Sequence, residues 1–341
     1  MSMFAESIAP LHEYRHPPDR TPSYNESTYY NFTSPGSGVV GWLRIAVQPN
    51  RPAGQATALI FLPEGRTLLA FHRVEQTTAD TLAVGPIAIE IDEPHRRQRL
   101  TFDGPVSVFP EPRVLSDPGP AFRAAPLVGA RIDLTVTGNG DSFGTSGEDP
   151  ANILERSMAL GHYEQFIQLA GSLRVDGEEH QIQGGGLRDH SWGPRDWAGP
   201  RFYRWISASF DDGSAVMGLQ VAQADGTMTR RAALASAGIA TEARLGEVAL
   251  EWTDDGFCRR ISCALQGPDS ESTLTGTARV PEQFVPLRHH RPQDGTSHGV
   301  TRIGYSAYDF ELSDGRHGLG IVEVLDRMVD GLPISMTGQD S

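Results

Sequence analysis

Short apolar or alternating runs, each closed by a turn signal, recur along the whole chain. They are Val39–Val47, Ala56–Leu62, Leu68–Val74, Arg131–Val136, Phe166–Val175, Trp205–Phe210, Ala215–Val221, Val248–Trp252, Cys258–Leu265, Ser306–Leu312 and Gly318–Leu325. A period of two predicts strands, and the Asp-Gly pairs at 176, 212, 225, 255 and 314 predict antiparallel hairpins between them. One helix is predicted over Asp149–Leu160, with Asp149 as cap and Pro150 in the first turn. There are more strands than one small sandwich holds. The expected fold is therefore all-β, in two consecutive β-barrel or sandwich modules, residues 1–197 and 198–341. The stretch Pro281–Gly299 reads as a loop of the second module. Cys258 and Cys263, five apart on a strand, are expected on opposite faces and unpaired.

With 38% hydrophobic residues among 341, the chain can bury a sizeable core. Its net charge of -14 argues against a nucleic-acid surface. The one basic run, His95–Arg99, reads as an exposed strand edge. All 29 basic residues are arginine, which excludes Schiff-base, P-loop and Ser/Lys chemistry. No apolar stretch approaches the roughly 20 residues of a membrane helix, and the first residues lack a secretory pattern. A soluble, cytoplasmic protein is expected. The expected partner is a hydrophobic small molecule, with a homodimer compatible; neither membrane span, nucleic acid, metal nor cofactor is expected.

Chemistry concentrates in Gly184–Trp197, GGGLRDHSWGPRDW. Charged groups and tryptophans at that density line a site more often than they fill a core. On a strand Arg188, His190 and Trp192 share one face, while Asp189 and Ser191 share the other. The first face is expected to point into a cavity near the junction of the modules, with Gly184 and Gly186 leaving room for a ligand. His190 is then the candidate acid–base group, tuned by Asp189 or Arg188, with Trp192 stabilising developing positive charge. The competing reading makes Arg188–Asp189 and Arg195–Asp196 structural ion pairs. Trp197 is expected to pack between the modules, or else to line the pocket. His162 and Glu164 share one face of the next strand, as a wet cavity wall or a solvated edge. Asn25 and Glu26, in the aromatic stretch Tyr24–Phe32, could each give a hydrogen bond to a ligand. Tyr203 and Trp205 are candidate cation-stabilising rings. Glu323, a carboxylate in an apolar strand, would be turned into a proton donor by burial. No HExxH, CxxC, GxSxG or complete GxGxxG motif occurs.

Asp189-His190-Ser191-Trp192-Gly193, followed by Trp205–Phe210, the Asp211-Asp212-Gly213 turn and Ala215-Val216-Met217, resembles the carotenoid hydratase (hydroxyneurosporene synthase) and AttH-like superfamily. With the upstream HYEQ and NES segments, the sequence looks like a bacterial branch of it. The resemblance implies two lipocalin-like (calycin) barrels with a hydrophobic pocket. His190 and Trp192 match the family's His-x-Trp positions, whereas Ser191 stands where the hydratases often have an acid. By that resemblance the expected function is a cofactor-independent hydratase/dehydratase or isomerase. Its substrate would be an apolar, unsaturated terpenoid-, steroid- or polyketide-like molecule. A non-catalytic lipocalin-like binder and a pericyclase or cation-driven cyclase are the alternatives.

Overall fold

The computed structural model describes residues 2–75, 81–148, 159–195, 199–268, 270–280, 283–290 and 300–337. The first eleven strands are β1 (Tyr24–Ser34), β2 (Val39–Gln48), β3 (Ala53–Phe61), β4 (Thr67–Val74), β5 (Ala83–Val84), β6 (Ile87–Glu93), β7 (Arg97–Phe109), β8 (Leu127–Gly138), β9 (Phe143–Thr145), β10 (Gly161–Val175) and β11 (Glu178–Pro194). They form one antiparallel sheet in the order β4-β3-β2-β1-β11-β10-β8-β7, and pairing of β4 with β7 closes it into an eight-stranded barrel. The other strands are β12 (Pro200–Phe210), β13 (Ala215–Gln223), β14 (Met228–Ser236), β15 (Ile239–Leu245), β16 (Ala249–Trp252), β17 (Cys258–Gln266), β18 (Glu271–Ala278), β19 (Val285–His290), β20 (Val300–Leu312), β21 (His317–Val329) and β22 (Leu332–Pro333). Their pairings run β12-β13-β14-β15-β17-β18-β20-β21 and return from β21 to β12. The chain changes sheets between Pro194 and Pro200. Each predicted strand has its counterpart, because alternation and Asp-Gly turns fix strand and hairpin locally. Gly177 and Gly213 take φ of 83° and 81°, which glycine adopts without a Cβ penalty.

Three apolar clusters explain the patterning. Phe32, Leu43, Ile45, Leu100 and Phe102 belong to the core of the first barrel. Ile206, Phe210, Ile261, Phe310 and Val322 belong to that of the second. The third joins outward residues of both, including Tyr29, Trp42, Trp205, Met217 and Ile321. β1 is consequently buried at every position: one face turns into its barrel and the other against the neighbouring barrel. No helix of the described residues is long and apolar enough to cross a membrane.

The predicted helix at 149–160 falls mostly outside the described residues; a short helix, Pro118–Ala124, occurs elsewhere. Other expectations are corrected. Part of Pro281–Gly299 is a strand, β19. The basic run is not a sheet edge, since β7 lies between β6 and β8. There Arg97 and Arg99 pair with Asp92 and Asp133 at 3.0 and 2.8 Å. Cys258 and Cys263 are free but both enter the second core, because a pairing irregularity beside Cys258 breaks the two-residue period.

Gly184 and Gly186 make no room for a ligand. A Cβ at either would overlap a backbone carbonyl of β1, that of Thr33 or Asn31, and one at Gly185 would meet Ser209 of the second barrel. The glycines let the β1 backbone and the Ser209 side chain of the second barrel lie close against β11. Gly186→Ala is expected to cost about 1–3 kcal/mol through overpacking, read by chemical denaturation. An unchanged midpoint would show that the strands can separate without penalty.

Candidate active site

A cavity opens between the outer faces of the two barrels. From the first barrel it is lined by Tyr29, Trp42, Arg44, His162, Glu164 and Asp189, and from the second by Tyr203, Trp205, Leu219, Val221, Tyr305 and Glu323. Ser27, Ser191 and Arg195 complete the wall near the crossover, and Ala159 and Leu160 contribute apolar surface. Parity sends these side chains here. Tyr29 pairs with Arg44 and Asp189, and Trp205 with Glu323, so each set shares one face.

Besides the tyrosines, six ionisable side chains meet in this space: Arg44, His162, Glu164, Asp189, Arg195 and Glu323. Burial raises the Glu323 carboxyl to about 7, opposed by a hydrogen bond from Tyr203 and reinforced by the charge of Asp189. Burial likewise raises Asp189 to about 6, against the pull of Arg195 and Arg44. Burial lowers Arg195 to about 10, helped by Arg44, and its guanidinium donates to Ser191 Oγ at 2.6 Å. His162 is lowered to about 4 by burial and by Arg195, so it is neutral at pH 7. Trp205 Nε1–H donates to Glu164 Oε1 at 3.0 Å across the junction. The result is an apolar, aromatic chamber with two carboxyl groups whose proton affinities lie near neutrality, the combination acid–base catalysis requires.

The sequence matches, over residues 9–328, the family described as a domain of unknown function, DUF7064. The chain belongs to the DUF7064 family. No curated protein matches it. Among solved structures, the fold of this DUF7064 chain is similar to that of a putative AttH from Nitrosomonas europaea, with a TM-score of 0.60 at 14% identity over 95% of this chain and 98% of that one. It is also similar to kievitone hydratase from Nectria haematococca, with a TM-score of 0.54 at 12% identity over 94% and 93%. A third is CghA with Sch210972, at 0.53 and 12% over 95% and 96%. At such identities the likeness is one of fold, and the double β-barrel architecture is what the DUF7064 chain shares with them.

Within that fold, the face of β11 expected to carry the chemistry points the other way. Asp189 and Ser191 line the cavity; Arg188, His190 and Trp192 turn into the mouth of the first barrel, where they are buried but walled off from it. The N-terminal segment around the 3-10 turn Pro10–Glu13 plugs that mouth. Arg188 makes a double contact with Glu13, and its Nε–H donates to Gln165 at 2.9 Å. His190 Nδ1 faces the His12 carbonyl at 2.9 Å and its Nε2 faces Glu26 at 2.9 Å. Burial lowers the His190 pKa, and the Glu26 hydrogen bond opposes it. Burial alone would raise Glu26, but hydrogen bonds from His16 and His190 hold it at about 2. Trp192 stacks on His16 with ring centroids 3.6 Å apart.

Glu26 is thus behind the wall, not in it. Asn25 is buried, with no hydrogen-bond partner for its Nδ2 among the described residues, and it does not line the cavity. Trp197 lies outside the described residues. Tyr203, Trp205, His162 and Glu164 do line the cavity. Sequence reading missed Arg44, Trp42 and Tyr305, although a lone arginine inside the apolar run VVGWLRIAV was a usable signal. It also missed His16, which with Glu26 and His190 assembles two imidazoles and a carboxylate, a donor set that suits a divalent transition metal. Segments distant in sequence build that group, so no spacing motif announces it.

Proposed function

We propose that the cavity between the barrels is the active site of a hydratase/dehydratase acting by acid–base chemistry on an apolar, unsaturated molecule. The observation that supports this reading is the pairing of Glu323 and Asp189, both raised toward neutrality, among aromatic rings. In the hydration direction, protonated Glu323 gives its proton to one alkene carbon, and the π pair forms the new C–H bond. The cation left on the neighbouring carbon faces the rings of Tyr203, Trp205 and Tyr305. Water attacks it, and the Asp189 carboxylate takes the proton lost from oxygen. Net proton return from Asp189 to Glu323 through solvent resets the site; dehydration is the same path reversed. Proton transfer is thereby assigned to the outward face of β11, and His190 becomes a positioning residue behind it.

The space measures about 130 Å³, below the roughly 300–1,000 Å³ of ordinary ligand pockets. It accommodates the reacting head of a terpenoid-, steroid- or polyketide-like molecule, while the remainder meets the apolar rim at Ala159 and Leu160. Turnover in oxygen-18 water tests the reaction class. A hydratase places one labelled oxygen in its product. A product isomeric with substrate and free of label would indicate a cyclase or isomerase, and a ligand recovered unchanged would indicate a binder.

A further inference from the structure

The chamber wall contributed by β1 and β2 holds hydrogen-bond donors with nothing to donate to. Tyr29 and Trp42 are 4% and 2% exposed, yet neither the Tyr29 hydroxyl nor Trp42 Nε1 has a hydrogen-bond partner among the described residues. Arg44, also in this wall, makes no hydrogen bond and no ion pair among the described residues. Asp189 and Glu323 act on it only from beyond contact distance. Pairing of Tyr29 with Arg44 and of Asn31 with Trp42 places all four side chains on one face. The Asn31 amide approaches the Tyr29 oxygen as a donor, which leaves the Tyr29 O–H proton itself to be met by an acceptor. Burying that many unmet donors together costs free energy unless a ligand supplies acceptors.

We propose that Arg44, Tyr29 and Trp42 form a carboxylate-recognition site, so that the molecule bound in this chamber is an apolar, unsaturated carboxylic acid. The proposal rests on the reading of this cavity as the substrate site and narrows the substrate class. A carboxylate is acceptor-only with two oxygens, which suits a planar guanidinium flanked by an O–H and an N–H donor. The other charged groups of the wall have contacts of their own, Glu164 with the Trp205 indole and Arg195 with Ser191, which leaves the Arg44 guanidinium to meet a ligand carboxylate. Tyr203 holds Glu323 on the opposite wall, leaving the acid free to face the carbon skeleton while the carboxylate is anchored on β2.

Binding of trans-cinnamate and of methyl cinnamate, followed by calorimetry at pH 6, where Glu323 keeps its proton and cinnamate is ionised, tests this without any turnover. The wild-type protein is expected to bind the acid at least tenfold more tightly than the ester. Arg44→Met should erase that preference and leave ester affinity within about twofold, and Arg44→Lys should keep part of it. Tyr29→Phe, which removes one hydroxyl and no volume of consequence, should weaken the acid several-fold and not the ester, so a poorly folding Arg44 variant leaves the question answerable. Equal affinity for acid and ester, acid preference surviving in Arg44→Met, or binding of neither overturns the proposal. Acid preference in a protein that never incorporates labelled water would leave this site standing and remove the hydratase reading.

Discussion

Glu323→Gln is expected to lower kcat/KM by about 10²–10⁴-fold, the usual worth of a general acid, while making the protein more stable at neutral pH. The amide keeps the shape of the carboxyl and its oxygen can still accept from Tyr203, so the cavity wall survives and only the proton is lost. The stability gain follows from burial. Glu323 is raised from 4.5 to about 7 in the folded chain. Between those values the unfolded state has released the proton that the folded state still holds, so stability falls as pH rises through this window. The loss is fully developed above about pH 7 and amounts to roughly 3 kcal/mol at most. Glutamine cannot ionise and escapes it.

A variant that is slower yet melts higher is what a functional, strained site produces, and a purely structural carboxyl would not behave so. Wild-type kcat/KM should be bell-shaped and narrow. Asp189 must lose its proton near 6, and Glu323 must keep its own up to near 7. The two limbs belong to the coupled pair. Full turnover by Glu323→Gln on any alkene or alcohol the wild type converts would remove Glu323 from the mechanism.

The fold was legible because each strand announces itself locally, through alternation closed by Asp-Gly. Which face of β11 carries the site was not. Parity correctly separates Arg188, His190 and Trp192 from Asp189 and Ser191, but in a strand between two cores both faces are buried. Ile206 against Trp205 on β12 shows the same thing: one enters the barrel and the other the junction, and both are apolar. Hydrophobicity therefore cannot mark the cavity side. A sharper cue was an isolated charge in an apolar strand. Glu323 was read that way and Arg44 could have been, since each must justify burial by a partner or a ligand. The plug was invisible because His12, Glu13 and His16 sit in an irregular proline-bearing segment, and only long-range contacts to Arg188, His95 and Glu26 give them meaning. The cysteines show a third limit: the irregularity in the β16–β17 pairing beside Cys258 resets the parity on which face assignments depend.

That plug carries the largest expected effect on stability. Glu13→Gln should destabilise the protein by about 3–5 kcal/mol at pH 7, since it leaves a buried guanidinium without its counter-charge. Arg188 is only 1% exposed, and Glu13 answers it with both carboxylate oxygens while also meeting His95 at 2.9 Å and Gln98. Burial would raise Glu13, but Arg188 and His95 hold it at about 2, well below its ordinary 4.5. A depressed folded pKa means stabilisation that is complete above about 4.5 and lost as pH falls toward 2. For Glu13 this is about 3 kcal/mol, and Glu26 adds a similar dependence in the same window. Wild-type stability should thus drop steeply between pH 4.5 and 2, and the gap between wild type and Glu13→Gln should narrow over that range. Denaturant titrations at pH 7 and pH 3 read both quantities. If the gap stays constant with pH, the variant acts by misplacing the segment rather than by uncovering the Arg188 charge. His190→Ala belongs to the same test: as a positioning residue between the plug and β1 it should lower the melting temperature first. Lost turnover with an unchanged melting temperature would instead return His190 to the chemistry.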